Sequence, residues 1–473
     1  MTLDSLALGV LLPSFRGPLL PPEWARLLEE GLAGVCLFGS NLTGTIDEAR
    51  ALTDAVRRAR PDALVAADEE GGDVTRLHAR SGSTVLGAAQ LGAIDDLGLT
   101  AAAGRAVAAD LVAAGIDLDL GPVADVNTNP DNPVIGTRSF GSDPVLVGRH
   151  VAAWTSAVQA AGVAACAKHF PGHGATAQDS HVTLPLLDAS VAEIRVRELL
   201  PFRAAVEAGV AAVMTSHILV PAVDADLPAT FSRPMLSLVR DDLGHDGAVV
   251  SDALDMAGAS AGRGMPEAAV LALVAGVDLL CVGPDKDASS VREIQAAIVG
   301  AVRSGRLAEE RLADAVRHVD GLRRSRGLET VAGATSSTTG GAVAAMAAGA
   351  RAALVVEGDL PDLAGARVLT IATPANIAVG EVPWGIHPDT VVAPGDALPA
   401  GPLVVQVRDA HRHPDVGAML AALPDGALVV EWGWPGPRTG WQHRDISRIC
   451  TRGCSRPMVA AVEKIVRKAG WSR

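Results

Sequence analysis

Eight short apolar runs recur along the first two thirds of the chain, at 6–12, 34–38, 63–67, 116–120, 163–167, 210–215, 248–250 and 277–282. Most are followed by polar residues and then by a stretch rich in Ala, Leu, Glu and Arg. Runs this short, bounded by turn residues, read as buried strands. The stretches between them carry helical spacing, and the one over 99–114 closes on Gly115, a residue suited to the left-handed position after a helix. Strands alternating with helices must pair in parallel, because a parallel neighbour needs a long crossover. Eight such units predict an α/β fold that begins as a (β/α)8 TIM-like barrel with insertions. A doubly wound open sheet is the alternative, but no Gly-rich dinucleotide fingerprint follows the first run.

The barrel's last helix is expected over 311–324, where Leu312, Val316, Val319 and Leu322 keep helical spacing. The stretch 327–341, with Ser336, Ser337, Thr338 and Thr339, reads as a linker. Further apolar runs at 352–356, 368–371, 403–407 and 427–430 alternate with helical segments, ending in a helix near 457–469. The expected organisation is therefore a barrel over 1–326, a linker over 327–341 and a smaller αβα sandwich over 342–473. That second domain offers few chemical groups. His411 and His413 read as surface histidines, and Trp432 and Trp434 as packed tryptophans.

Charge and cysteine usage narrow the partners. Among 473 residues, 40 basic against 54 acidic side chains leave a net charge of −14, and no Lys/Arg cluster offsets it, which argues against nucleic acid. No run reaches membrane length. Cys36, Cys166 and Cys281 lie in apolar runs, and Cys450 and Cys454 have no His pair beside them, so zinc is not expected. The run at 6–12 follows Asp4, lacks a basic flank and stops at Pro13, so it reads as a first strand and not a signal peptide. A cytoplasmic setting follows as an expectation.

In a barrel, the residues after each strand gather on one rim. Asp68 follows the third run, Asp125 and Asn127 the fourth, Lys168 and His169 the fifth, Ser216 and His217 the sixth, and Asp252 the seventh. The densest stretch is Lys168 to His181, which packs three His, one Lys and one Asp around Pro171, Gly172 and Gly174. Asp179 precedes His181 by two residues, close enough for a carboxylate to hold an imidazole as a dyad. A carboxylate at Asp252 facing that dyad makes a set for nucleophile plus general acid/base. A metal cluster of His169, His173, Asp179 and His181 is a rival, but the loop spacing fits no familiar metal site.

These motifs resemble those of family 3 glycoside hydrolases, in the β-N-acetylglucosaminidase branch. The resemblance rests on Lys168-His169-Phe170-Pro171-Gly172-His173-Gly174 with Asp179-Ser180-His181, on Asp68-Glu69-Glu70-Gly71-Gly72 followed by Arg76, on Gly121 to Asn127, on Gly136 to Gly141, and on Ser251 to Met256. It implies a retaining glycosidase without cofactor or metal. Asp252 would be the nucleophile, and His181, charged by Asp179, the general acid and then the base. Asp68, Arg76, Arg138, Lys168 and His169 match the positions that hold the sugar. The implied substrates are carbohydrates with terminal β-linked GlcNAc, from peptidoglycan fragments or chitooligosaccharides. Other readings are a phosphorylase that takes inorganic phosphate as acceptor and releases GlcNAc-1-phosphate, a family 3 β-glucosidase, and a non-catalytic sugar-binding protein. Two residues depart from the family pattern: Ala175 where Asp is frequent, and Asp73 where Arg is common.

Overall fold

The computed structural model describes residues 1–42, 44–260, 262–324, 338–373, 376–380 and 382–472. Eight short strands follow one another round a ring: β1 (Leu11–Pro13), β2 (Gly34–Leu37), β3 (Leu64–Ala67), β4 (Leu118–Asp119), β5 (Ala164–Phe170), β6 (Ala212–Thr215), β7 (Ala248–Val250) and β8 (Leu280–Gly283). Strands β2 to β7 pair in chain order, all in parallel, and β1 pairs in parallel with β8. A bridge from Val250 to Leu279 joins β7 to β8, and Ala33 N donates to Leu8 O at 3.0 Å beside β1 and β2. Alternate side chains point inward, where small Cys36, Ala66, Ala164, Cys166, Ala212 and Ala248 pack among larger Leu12, Leu64, Leu118, Leu120 and Met214. Such residues suit a narrow interior. Val319 and Leu322 of the helix Glu309–Arg324 join the same cluster.

The first expected strand is corrected. Residues Leu3–Leu8 form a helix, capped by the Thr2 hydroxyl on Ser5 N, and only Leu11–Pro13 is extended. The cap offers the first turn a partner that outweighs the bare apolar pattern, and buried Leu6, Ala7 and Leu8 join the main core. The helix Leu97–Ala114, closed by Gly115 in the left-handed conformation (φ 75°), is long and apolar enough to cross a membrane, which corrects the expectation that no run reaches that length. It serves instead as a packing helix of the outer ring, lying against Ile46–Ala59 and Pro144–Ala160.

The second domain is one mixed sheet in the order β11-β10-β12-β13-β14-β9, from β9 (Val355–Glu357), β10 (Arg367–Ile371), β11 (Thr390–Val392), β12 (Leu403–Val407), β13 (Leu428–Glu431) and β14 (Ser447–Cys450). All pairs are parallel except β14 with β9. Alternate residues Leu369, Val405 and Val429 pack with the helix Pro414–Ala421, while Val368, Val404 and Leu428 face the core of the helix Arg456–Lys468. This period-2 division makes the αβα sandwich. Most of the expected linker 327–341 lies outside the described residues. Its last four residues begin the helix Thr338–Ala353, which packs against Ala88–Ile94, Leu97–Ala114 and Arg456–Lys468 and so touches both domains.

Polar contacts tie the domains together. Asp73 accepts hydrogen bonds from Arg408 Nη2 (3.0 Å), Cys454 N (3.0 Å) and Thr137 Oγ1 (2.7 Å). The carboxylate that departs from the family's Arg is therefore an interdomain clasp. His411, expected at the surface, is buried at this interface with Nε2 2.9 Å from Pro130 O.

Candidate active site

Strand β5 carries the centre of the site. Its pairing with β6 shifts register between Ala167 and Phe170, so the strand extends through Lys168 and His169 instead of ending before them, as the sequence pattern predicted. Beyond it, Asn132, Thr176 and Ser180 hold the loop. Asn132 Nδ2 donates to His173 O (2.8 Å) and Thr176 O (3.0 Å), and the His173 ring sits between Thr176 Oγ1 (2.7 Å) and Ser180 Oγ (3.1 Å). Burial holds the His173 pKa down to about 4, so this ring is neutral and structural.

A cavity of about 380 Å³ opens at the C-terminal rim. Seven of the eight residues singled out from the sequence line it: Asp68, Arg76, Arg138, Lys168, His169, His181 and Asp252. The eighth, Asp179, stands behind His181, its Oδ1 2.6 Å from Nδ1 and 2.9 Å from the His181 backbone N. Asn127, Ser216 and His217, also expected on the rim, are buried and do not line the cavity.

One wall is a chain of opposite charges. Lys168 Nζ lies 2.6 Å from Asp68 Oδ1 and 2.7 Å from Glu70 Oε1. Arg138 grips Glu70 with two bonds, Nη2 to Oε1 at 2.8 Å and Nε to Oε2 at 3.0 Å. Burial alone would raise the Glu70 pKa, but the charges of Arg138 and Lys168 hold it far below the usual range. Burial opposes the Lys168 charge too, and Asp68 and Glu70 outweigh it. Such mutual pairing is what lets buried charges persist. His169 is fixed from both sides, by Asp125 Oδ2 on Nδ1 (2.7 Å) and by Arg138 Nη2 near Nε2 (3.3 Å).

Asp125, expected on the rim, acts through His169 instead of lining the cavity, and Glu70, inside a quoted motif, is not marked by the sequence as a site residue. The Glu70 signal is weak: of Asp68, Glu69 and Glu70, nothing in the order tells which face inward. Glu69 turns away, its Oε2 accepting the backbone N–H groups of Arg76 (2.8 Å) and Leu77 (3.0 Å). The second domain also reaches the site, through Ile377 and Ala378 in the cavity wall. Arg76 Nη2 donates to Ala378 O at 2.9 Å, and Nη1 to Val379 O at 3.4 Å.

Two of the titratable groups lining the cavity, Asp252 and His181, are shifted in opposite directions. Burial pushes the Asp252 carboxyl up, but His169, His217 and His181 together bring it below its ordinary value. Burial pushes His181 down, and the Asp179 hydrogen bond and the Asp252 charge lift it above its ordinary value. The cavity thus favours the charged form of both groups, the carboxylate of Asp252 and the imidazolium of His181. Of the histidines in the metal reading, His173 has both ring nitrogens in hydrogen bonds, to Thr176 and Ser180. The one metal-like cluster among the described residues, Asp278, Asp314 and His318, lies elsewhere, and its Asp278 is already paired with Arg240 (2.6 Å) and Arg311 (2.7 Å).

A family model described as the glycosyl hydrolase family 3 N terminal domain matches residues 22–322. The chain belongs to this family. The beta-hexosaminidase of Methylococcus capsulatus is 37% identical to this family 3 chain over 285 residues, 59% of this chain and 84% of that relative. Beta-hexosaminidase A of Pseudoalteromonas piscicida is 33% identical over 331 residues, 64% of this chain, and the chain spans only 55% of its length. The structure of a family 3 β-N-acetylglucosaminidase from Paenibacillus sp. str. FPU-7 superposes with a TM-score of 0.85 at 27% identity, covering 99% of this chain and 97% of that one. Both domains of this family 3 chain thus have a counterpart of the same arrangement.

Beneath the loop after β5, one buried carboxylate is poorly served. Glu198 Oε1 accepts from Arg197 Nε at 2.5 Å, while Oε2 has no hydrogen-bond partner among the described residues. It presses on Gly172 (φ 134°), where a Cβ would come within 2.5 Å of Oε2. Burial raises its pKa to about 7, against the Arg197 charge. A folded-state pKa above the unfolded value means its stabilising contribution is present at low pH and is lost as pH rises through about 7. Glu198→Gln, which mimics the protonated form, should match the native chain at pH near 4 and exceed it at pH near 8, by up to about 3 kcal/mol. Urea unfolding at the two pH values reads this out, and an equal effect at both would contradict it.

Proposed function

We propose that the protein is a retaining exo-β-N-acetylglucosaminidase that removes terminal β-linked GlcNAc from peptidoglycan fragments or chitooligosaccharides. The observation that carries this reading is that Asp252, its carboxyl held below its ordinary value, and His181, its imidazole lifted above its own, line one cavity with Asp179 behind the imidazole. An Asp252 oxygen attacks the anomeric carbon while the His181 Nε2 proton passes to the departing glycosidic oxygen. A glycosyl-aspartate results. The neutral imidazole then takes a proton from water, the water oxygen bonds to the anomeric carbon, and Asp252 leaves. Asp68, Lys168, Arg138, Arg76 and His169 supply the donors and acceptors for the sugar hydroxyls and the N-acetyl group. No metal or cofactor enters this scheme. The cytoplasmic setting belongs to the same reading, supported by five cysteines that are all buried thiols.

Inorganic phosphate is the other acceptor this chemistry admits, since a neutral imidazole does not repel it as a carboxylate would. Water is favoured, because the cations in reach are already matched: Lys168 and Arg138 by Asp68 and Glu70, and Lys286 by Asp255 at 2.7 Å. The test compares aryl β-GlcNAc with aryl β-glucoside, each with and without millimolar phosphate at matched ionic strength. The GlcNAc substrate should turn over about 10²-fold faster or more, with free GlcNAc as product and a rate indifferent to phosphate. Equal rates on the two sugars would overturn the substrate assignment, and GlcNAc-1-phosphate would overturn the acceptor.

A further inference from the structure

The second sheet has a ligand-binding crevice of its own. From β10 the chain goes first to β11 on one side and then to β12 on the other. The gap between the C-terminal ends of β10 and β12 is thus a topological switch point, the place where open α/β sheets bind ligands. Here that gap faces the barrel rim and forms a cavity of about 210 Å³, walled by Asn376 after β10, by Arg408 and Arg412 after β12, and by Thr137 and Asp179 of the barrel. It shares Ile135 and Ile377 with the sugar cavity. The dyad divides the two, with His181 facing one and Asp179 lining the other.

A general acid protonates the oxygen of the group that leaves, so that group lies on the acid's side of the sugar. That side leads into the interdomain cavity. The carboxylates there have partners. Asp73 is bound by Arg408, Cys454 N and Thr137, Asp179 by His181, and Asp409 Oδ1 by Trp434 N at 2.8 Å. The guanidinium groups do not use all their donors. Arg412 makes no side-chain hydrogen bond among the described residues, its Nη1 standing 3.8 Å from Asp409 Oδ2. Arg408 gives Nη2 to Asp73 and lies over the Trp384 ring, 4.7 Å from its centre, so its fork is held in place. What the cavity has to offer a ligand is positively charged hydrogen-bond donors, Arg408 held in place and Arg412 with its donors unspent.

We propose that this interdomain cavity is the leaving-group subsite and that Arg412, with Arg408, makes it select leaving groups bearing a carboxylate. The inference rests on the glycosidase reading above. It gives the second domain a role in specificity while the bond-breaking groups stay in the barrel.

The experiment measures kcat/KM of the full chain on three substrates: an aryl β-GlcNAc, GlcNAc β-1,4-linked to muramic acid as the free acid, and the same disaccharide as its methyl ester. The native protein should prefer the acid to the ester by about tenfold or more. Arg412→Ala should bring that ratio to near one, through KM on the acid, and Arg412→Lys should restore part of it. A native enzyme indifferent to the ester, or a preference that survives in Arg412→Ala, overturns the inference. The aryl substrate separates the two failures: without turnover of it by the native protein, the glycosidase reading falls and takes this inference with it.

Discussion

Asp252→Ala should reduce turnover of aryl β-GlcNAc by about 10⁴-fold or more, because it removes both the nucleophile and the negative charge facing the oxocarbenium-like transition state. The fold should survive the change. Among the described residues Asp252 accepts one side-chain hydrogen bond, from Ala253 N at 2.8 Å, and its neighbours His169 and His217 keep partners of their own. The loss should therefore appear in kcat with a nearly unchanged melting temperature. A fluorinated GlcNAc donor that slows breakdown of the glycosyl-enzyme should leave its label on the peptide containing Asp252. A label on any other peptide removes Asp252 from the role.

The second large effect is expected at His181. A poor leaving group needs a proton in the transition state and an activated aryl group does not. His181→Ala should thus cost about 10²- to 10⁴-fold on a GlcNAc disaccharide and far less on a dinitrophenyl glycoside in the glycosylation step. Asp179→Ala should show the same pattern more mildly, with a change in pH dependence whose sign is set by the geometry. Asp179 helps to raise the His181 pKa, so the imidazolium is the form present below that pKa and is lost above it. Without Asp179 the alkaline limb of the profile moves to lower pH. The acid limb reports ionisation of Asp252 and should stay where it is. Equal losses on both leaving groups in His181→Ala, or an alkaline limb that does not move in Asp179→Ala, would remove the dyad from this role.

The ring of strands was legible because each apolar run is short and each is followed by a helical stretch. The rim residues followed from it, since a parallel barrel sends the ends of all its strands to one face. The dyad was legible because both members lie two residues apart in one loop. What escaped notice depends on distance along the chain or on side-chain direction. Glu70 differs from Glu69 only in which way it turns, and the turn is decided by backbone N–H groups of Arg76 and Leu77 that capture Glu69. Ile377 and Ala378 reach the cavity from another domain, and an apolar pair there carries no chemical signal. The strands Thr390–Val392 and Ser447–Cys450 are not legible as apolar runs because they are short, and one of them mixes Ser and Arg into its pattern. His411 looked like a surface residue because the partner that buries it, the Pro130 carbonyl, is supplied by the barrel.

Arg76 has a consequence for how such chains can be recombined. Its guanidinium belongs to the barrel, yet two of its hydrogen bonds go to carbonyls at Ala378 and Val379, about 300 positions later. The pose of a cavity-lining group is thus inherited from the other domain's backbone, which a point substitution at 378 or 379 leaves in place. The two halves are not interchangeable modules. A chimaera that joins this barrel to a relative's second domain keeps every side chain of the rim and still loses the angle of one of them, unless the incoming loop brings its carbonyls to the same two places.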